Sequence, residues 1–377
     1  MEKARKRLFF LMNKNQVSLT VSGVSYYGWL DVSVSAQLQS IARSFSVSLT
    51  TKTSQSDTYS FNVDIGETVE LKIGDDLVLS GFITKIDESF SGQTHQITID
   101  GQSKTIDLVE CCVPDVKALS YKQLTVAQVV ADLIGHYGIE LVEEVKKTEV
   151  IDFDVSPEEK IKESLDKLIK KHNFLLTDNE NGQLVIASAG SAGRCNDRIV
   201  LGVNVLSRLQ TKVASPLFCR YVVLGQGANP LSERPLSDNQ LKCVAENSKV
   251  RFRVCTRVQS GNATQTDLQT RAIALKDISK AESERLTYTV QGWRQSNGDL
   301  WKVNTLVLVD DSPVGIHKEY LIAAVKYSMN DKGLTTTLNL TQPEKYFVTK
   351  EQTPQAAIKK STFVTVGDVA GATWTSK

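Results

Sequence analysis

The chain has 377 residues, 41% of them hydrophobic and 23% charged, and its 44 basic and 43 acidic side chains leave a formal net charge of +1. That length exceeds one ordinary core and implies about two to four domains. Near-neutrality excludes the global basic field of a tight nucleic-acid binder, and no apolar run reaches the roughly 18–20 residues of a bilayer-crossing helix.

The chain opens on "MEKARKRLFFLMNKNQ". Its basic run is followed only by "LFFLM", shorter than the ~7–15-residue apolar core of a secretory signal. Residues 1–15 therefore read as a disordered basic lead, and Met12 competes with Met1 as the start. From Val17 the pattern alternates: "VSLTVSGVSYYGWLDVSVS", "SFSVSLT", "ETVELKI", "LVLSGFITKI" and "THQITIDGQ". Period-two patterning rich in Val, Thr, Tyr and Trp reads as strands, and residues 16–110 are expected to form a small β-barrel or curled sheet.

Helical spacing follows. In "TVAQVVADLIGHYG", Val126, Val129, Val130, Leu133, Ile134 and Tyr137 share one face. "SPEEKIKESLDKLIKKHNF" reads as a second helix with Ser156 as N-cap, Pro157 at the first helical position and Glu159 completing a capping box. "FLLTDNENGQLVIA" is a hairpin turning at Asn181-Gly182. Residues 111–195 are thus expected to be an α+β domain, with "SAGSAGR" as a joint. Strand patterns return at "IVLGVNVLSRLQ" and "LFCRYVVLG", and again at "LTYTVQGW", "NTLVLVDD" and "KEYLIAAVKYSMNDKGLTTTLNL". Between them lies a loop and a helix, "DLQTRAIALKDISKAESERL". The expected division is a second β-barrel domain at 196–225 plus 291–346, an inserted loop-and-helix subdomain at 226–290, and a polar tail at 347–377.

The two β-regions resemble each other. Leu30, Val32, Val34, Leu38 and Gln39 align with Leu201, Val203, Val205, Leu209 and Gln210. "SFSVSLT" aligns with "CRYVVLG", and "ETVELKIGDD" with "NTLVLVDD". Ile86, Ser89, Ile97 and Ile99 align with Val325, Ser328, Leu338 and Leu340. The fold class expected is α+β, mainly β: an internal duplication of a small barrel-like domain, with α+β domains between and inserted.

Residues that carry chemistry are sparse. The histidines His95, His136, His172 and His317 show no metal-ligand spacing. The six cysteines include no C-x-x-C pair and fit a reducing compartment. Asp75-Asp76 and Asp310-Asp311 fall at turns, where Asp satisfies its own backbone. No phosphate-cradling glycine motif and no G-x-S-x-G elbow occurs. No catalytic residue, cofactor or metal is assigned.

"SERLTYTVQGWRQSNGDLWKVNTLVLVDD", followed by "LIAAVKYSMNDKGLTTTLNLTQPEKY", resembles the Mu-like phage baseplate hub proteins. "VSGVSYYGWLDVSVSAQLQSIARSFSVSLT" and "ITIDGQSKTIDLVECC" resemble the front of the same family, so the likeness runs from about residue 16 to 346. The resemblance implies a homotrimeric structural hub, not an enzyme. Two similar β-domains per chain would build a pseudo-sixfold ring between a sixfold tail tube and a threefold central spike. Implied partners are further copies of the chain, the tube and spike proteins and other baseplate proteins, with DNA passing through the bore without specific binding and no stable membrane insertion. The implied location is the virion tail, with assembly in the host cytoplasm. Expected ring-forming positions on the repeat strands are Val32, Val34, Phe82, Ile83, Ile97 and Ile99, and Val203, Val205, Leu321, Ile322, Leu338 and Leu340, across interfaces on the order of 2,000–5,000 Å². The competing readings are the base of a type VI secretion-like spike and a tail-associated protein that binds or hydrolyses peptidoglycan.

Overall fold

The computed structural model describes residues 14–51, 63–91, 94–113, 120–146, 148–172, 174–226 and 240–346. The expected lead, apart from its last two residues, and the expected tail lie outside them. The described residues hold 21 strands and four α-helices.

Seven strands come first: β1 (Val17–Val21), β2 (Val24–Tyr26), β3 (Asp31–Gln37), β4 (Ser44–Thr51), β5 (Thr68–Ile73), β6 (Asp76–Ser91) and β7 (Thr94–Ser103). Alternation places Val32, Val34, Phe45, Val47, Ile97 and Ile99 in the core, with serine and threonine between them. The middle of the chain forms α1 (Ile106–Glu110), β8 (Ser120–Thr125), α2 (Val126–Gly135), β9 (Leu141–Glu143), β10 (Val150–Asp154), α3 (Ile161–His172), β11 (Leu175–Asp178) and β12 (Leu184–Ala187). Its own core gathers Val126, Val130, Leu133, Ile161, Leu165 and Leu168. A reciprocal capping box between Thr125 and Gln128 opens α2.

The expected start of the next helix at Ser156 is not found. Glu159 N–H donates to the Ser156 carbonyl in a turn, Lys160 bridges to Cys112, and Ile161 N–H donates to the Cys111 carbonyl. These contacts with the preceding segment postpone α3 to Ile161.

The remaining elements are β13 (Ile199–Val200), β14 (Val205–Lys212), β15 (Arg220–Gln226), β16 (Gln240–Glu246), β17 (Val254–Asn262), α4 (Gln265–Glu282), β18 (Glu284–Gln291), β19 (Leu306–Asp311), β20 (Ile316–Asn330) and β21 (Gly333–Thr341). Two divisions read from the sequence shift here. Arg220–Gln226 pairs with β16 and β17 in a separate three-stranded sheet covered by α4, so it stands with the insertion. Glu284–Gln291 pairs with β14 and β21, so it stands with the second β-unit. Alternation of Val and Tyr marks both as strands but does not say which sheet each joins.

The main sheet has 13 strands in the order β14-β18-β21-β20-β3-β4-β7-β6-β5-β1-β2, with β19 attached to β20 and β13 to β19. No closed barrel forms among the described residues, against expectation. Closure requires a first strand to pair with a last, and here β3 pairs instead with β20 of the other unit. The order β3-β4-β7-β6-β5 in the first unit is matched in the second by β14-β18-β21-β20-β19. The match extends to register. In the first hairpin Ile83 faces Gly101, a bulge follows, and Lys85 faces Asp100. In the second Ile322 faces Leu340, a bulge follows, and Ala324 faces Asn339. The innermost pairs are Ser91 with Thr94 and Asn330 with Gly333. By this register Ile97 and Ile99 stand where Thr336 and Leu338 stand, not where Leu338 and Leu340 do. Carried outward through β4 and β18, Val32 and Val34 stand where Arg208 and Gln210 stand. Val203 and Val205 are not their counterparts, because residues 201–204 form a turn before β14 begins.

Candidate functional site: the junction and the free edges

The two β-units join along β20 and β3. Tyr327 faces Val34, Val325 faces Ala36 and Met329 faces Val32. The Leu38 N–H donates to the Ala323 carbonyl at 2.9 Å, which gives the bulged residue of β20 a partner on the first unit. The Tyr327 ring meets Trp293 edge-on at 6.3 Å between centroids, and its hydroxyl donates to the Trp301 carbonyl. Trp293 is fully buried and its Nε1–H donates to the carbonyls of Ser328 and Thr335. Arg294 reaches the first unit, donating to Asp76 Oδ2 at 2.5 Å and to the Ile73 carbonyl at 2.8 Å. The two units share one continuous hydrophobic core.

A cavity of about 650 Å³ lies where these units meet the β11–β12 hairpin, lined among others by Arg43, Asp178, Glu180, Arg194, Lys302 and Tyr327. Its charges bind one another. Arg43 Nε donates to Asp178 Oδ1 at 3.2 Å, the Arg43 N–H to Oδ2 at 2.9 Å, Nη1 to the Val78 carbonyl and Nη2 to the Asp178 carbonyl. Ser103 Oγ donates to Asp178 Oδ2 at 2.6 Å. Burial pushes the Asp178 carboxyl up, against the pull of Arg43 and these hydrogen bonds. Burial raises the Glu180 carboxyl too, but Arg43 and Lys302 outweigh it and hold Glu180 below the usual range. Cys195, beside the cavity, is pushed up to about 11 by burial, so its thiol stays protonated and is a poor nucleophile. The cluster is a cross-brace joining β3–β4, β7 and β11.

The acidic pairs read as turn residues are stronger partners than the sequence suggested. Asp311 is fully buried, receiving the Tyr288 hydroxyl at 2.8 Å and Arg208 Nη1 at 3.1 Å. Asp310 pairs with His317 Nδ1 at 2.9 Å. No group of three or more His, Cys, Asp or Glu side chains suited to a metal occurs among the described residues, and none of their helices is long and apolar enough to cross a membrane.

The expected ring-forming positions fall mostly inside one chain. Val32, Val34, Ile83, Ile97, Ile99, Leu321, Ile322, Leu338 and Leu340 are buried core residues, and Phe82 and Val205 are half-buried. Among the twelve, only Val203 stands out, at 79% exposure. Period-two alternation identifies the face of a strand that packs inward, so it selects core positions. The surfaces free for a partner are edges. No described strand pairs with β14 on the side away from β18, nor with β6 beyond Ile83 on the side away from β7. Large apolar residues stand exposed at both edges: Leu206 and Leu209 on β14, flanked by Val203 and Val213, and Phe90 on β6. The charges differ, with Arg208 and Lys212 on β14 and Asp87 and Glu88 on β6.

Three family descriptions match the chain in collinear order: Mu phage baseplate assembly protein GpP-like, N-terminal, over residues 16–103; baseplate hub protein gp44-like, second domain, over 105–188; and Mu phage baseplate assembly protein GpP, fourth domain, over 269–349. The baseplate hub protein gp44 of Escherichia phage Mu is 28% identical over 348 residues, covering 89% of this chain and 90% of that protein. The fold is similar to the 43 kDa tail protein of prophage MuSo2 from Shewanella oneidensis, with TM-score 0.78, 24% identity, and 88% and 99% of the two chains covered. It is also similar to the tail protein from Neisseria meningitidis MC58, with TM-score 0.73, 19% identity, and 88% and 98% covered. The first family match begins and ends with the first β-unit, and the second spans the helical unit braced against it by Arg43 and Asp178. With the fourth-domain match over α4 and β18–β21, these place the chain among the Mu-like phage baseplate hub proteins.

Proposed function

We propose that the chain is a homotrimeric hub whose two β-units, products of an internal duplication, form a pseudo-sixfold ring. The ring adapts a sixfold tail tube to a threefold central spike and surrounds the path of the DNA. The chain works as a shaped connector within the virion baseplate and holds no catalytic centre.

The observation that carries this reading is the β3–β20 junction. β3 has the place in the first unit that β14 has in the second, and β20 has the place in the second that β6 has in the first. The partners of the internal junction therefore have unpaired counterparts at the two free edges. If β14 of one chain joins β6 of the next in the same register, Leu209 faces Ser89, Gln210 faces Glu88 and Arg208 faces Phe90. Glu88 then lies diagonally between Arg208 and Lys212 of the neighbour, within reach of both. Repeating this contact three times closes the ring and removes two exposed edges that would invite aggregation in a monomer.

Disulfide trapping tests it. A Ser89→Cys, Leu209→Cys variant in a Cys112→Ser background should oxidise to covalent dimers and trimers and stop at trimer. The out-of-register pair Ser89→Cys, Lys212→Cys should cross-link far less, since bridged Cα atoms lie about 4.4–6.8 Å apart. A variant that stays monomeric at tens of micromolar, or that ladders past trimer, would overturn the proposal.

A further inference from the structure

Among the described residues, no other element packs on one face of the main sheet. On β14-β18-β21-β20-β3-β4-β7-β6, residues of one parity form the core, and those of the other form a continuous surface across both β-units. That surface is hydroxylic: Ser33, Ser35, Ser46, Thr98, Thr287 and Thr337 stand on it, on five different strands. Its charges balance, with Lys85, Arg285 and Lys326 against Asp31, Asp87 and Asp100. Several of its groups bind each other: Ser35 Oγ lies 2.8 Å from Ser44 Oγ, Thr287 Oγ1 donates to Asn339 Oδ1 at 2.9 Å, Ser48 Oγ donates to Asp31 Oδ2 at 3.3 Å, and Lys85 pairs with Asp87. Among the described residues of these eight strands, the aromatic side chain on this face is Phe82 of β6, half-buried opposite Gln102.

We infer that this hydroxyl-lined face is the wall of the channel, and that it is a non-adherent surface for a passing polyanion. The inference rests on the trimeric-ring reading and adds which face points inward and what it does to DNA. The direction follows from bulk. The helical unit packs on the opposite face, where Leu175, Val185, Ala187 and Ala189 join the core of the sheet. Three such units have room only outside a ring. Eight strands per chain, at ~4.8 Å spacing, make a wall of roughly 24 strands and a backbone diameter of about 37 Å before any strand tilt widens it, which leaves a bore wider than duplex DNA.

Non-adherence follows from the lining. Affinity for DNA comes mainly from cations that displace condensed counterions, and here each basic group is matched by an acidic one. Stacking on aromatic side chains, the other general source of affinity, is limited on this face to the half-buried Phe82. Small hydroxyls keep a layer of water and add few long, mobile side chains to catch phosphates.

Purified rings test this once their assembly is scored by electron microscopy. Wild-type rings should retain neither a linear duplex nor a covalently closed circle of the same sequence at low salt. Rings of the Ser33→Lys, Thr98→Lys, Thr337→Lys variant should retain the linear duplex about tenfold or more better than the circle, because only an end can thread a closed bore, and added salt should abolish the retention. Equal retention of both forms would put the face outside the ring and overturn the assignment. Retention of linear DNA by wild-type rings would overturn the non-adherent wall. Thr98→Lys alone, with a smaller difference of the same sign, serves if the triple variant does not assemble. Wild-type protein that forms no ring would instead refute the trimeric reading on which the inference rests.

Discussion

Tyr327 of β20 stands directly opposite Val34 of β3, on the strand pair by which the second β-unit continues the sheet of the first. Both are buried, at 5% and 2% exposure. Tyr327→Ala should therefore leave a cavity between the units and cost about 3–5 kcal/mol. Tyr327→Phe keeps the ring but leaves the buried Trp301 carbonyl without this donor, and should cost about 1–3 kcal/mol. Denaturant unfolding of the two variants checks the order; a harmless Tyr327→Ala would mean that the junction is not a packed interface.

The Arg43–Asp178 brace predicts strong non-additivity. Arg43→Met leaves a buried carboxylate without its guanidinium and should destabilise by about 3–5 kcal/mol. Arg43→Met combined with Asp178→Leu removes both charges and should cost less than Arg43→Met alone. A double variant worse than the sum of the singles would contradict the cross-brace.

Acid should loosen α4 at its start. The backbone N–H and hydroxyl of Thr264 donate to the Asp267 carboxylate and hold its pKa below the usual value. A depressed acid stabilises the fold above its unfolded pKa and loses that contribution as pH falls through the folded pKa. Hydrogen exchange at the first turn of α4 should accelerate on acidification below about pH 4, after correction for the intrinsic rate. Asp267→Asn should flatten that pH dependence.

The cysteines should separate by reactivity. With its pKa pushed up to about 11, Cys195 carries a thiolate fraction at pH 8 roughly two orders of magnitude below an ordinary thiol. Alkylation at pH 8 followed by peptide mass spectrometry should label the exposed Cys112 and spare Cys195 until the protein is unfolded. Equal labelling of the two in folded protein would mean that the pocket around Cys195 opens.

Much of the fold is written in local pattern. The Val/Ser alternation of β3 and β4 and the apolar stripe of α2 locate those elements, and the Asn181-Gly182 turn locates the hairpin of β11 and β12. Sheet partnership is not local. Arg220–Gln226 and Glu284–Gln291 have the same alternating character, yet one joins α4 and the other the main sheet. The likeness of the β6–β7 and β20–β21 hairpins is legible in the sequence, but their register depends on a bulge that a side-chain pattern does not reveal, so the pattern aligns Ile97 with Leu338 where the structure aligns it with Thr336. The twelve expected ring positions fall mostly in the core for a related reason. Patterning marks residues that pack inward, whereas the proposed contact uses Arg208, Leu209, Glu88 and Phe90 for the strand edge they occupy. Asp311 read as a turn residue because its partners, Arg208 and Tyr288, are remote in sequence.

In the proposed ring, the β14 edge of each chain pairs with the β6 edge of the next, and three chains close it. Single-particle electron microscopy of the purified full chain, with its mass measured by light scattering in the same sample, tests this most directly. The expected result is a closed threefold particle of three chains in which six similar β-units surround an open bore and the β14–β6 seam repeats the β3–β20 seam. A monomer at tens of micromolar, or a particle in which these two edges lie apart, would contradict it.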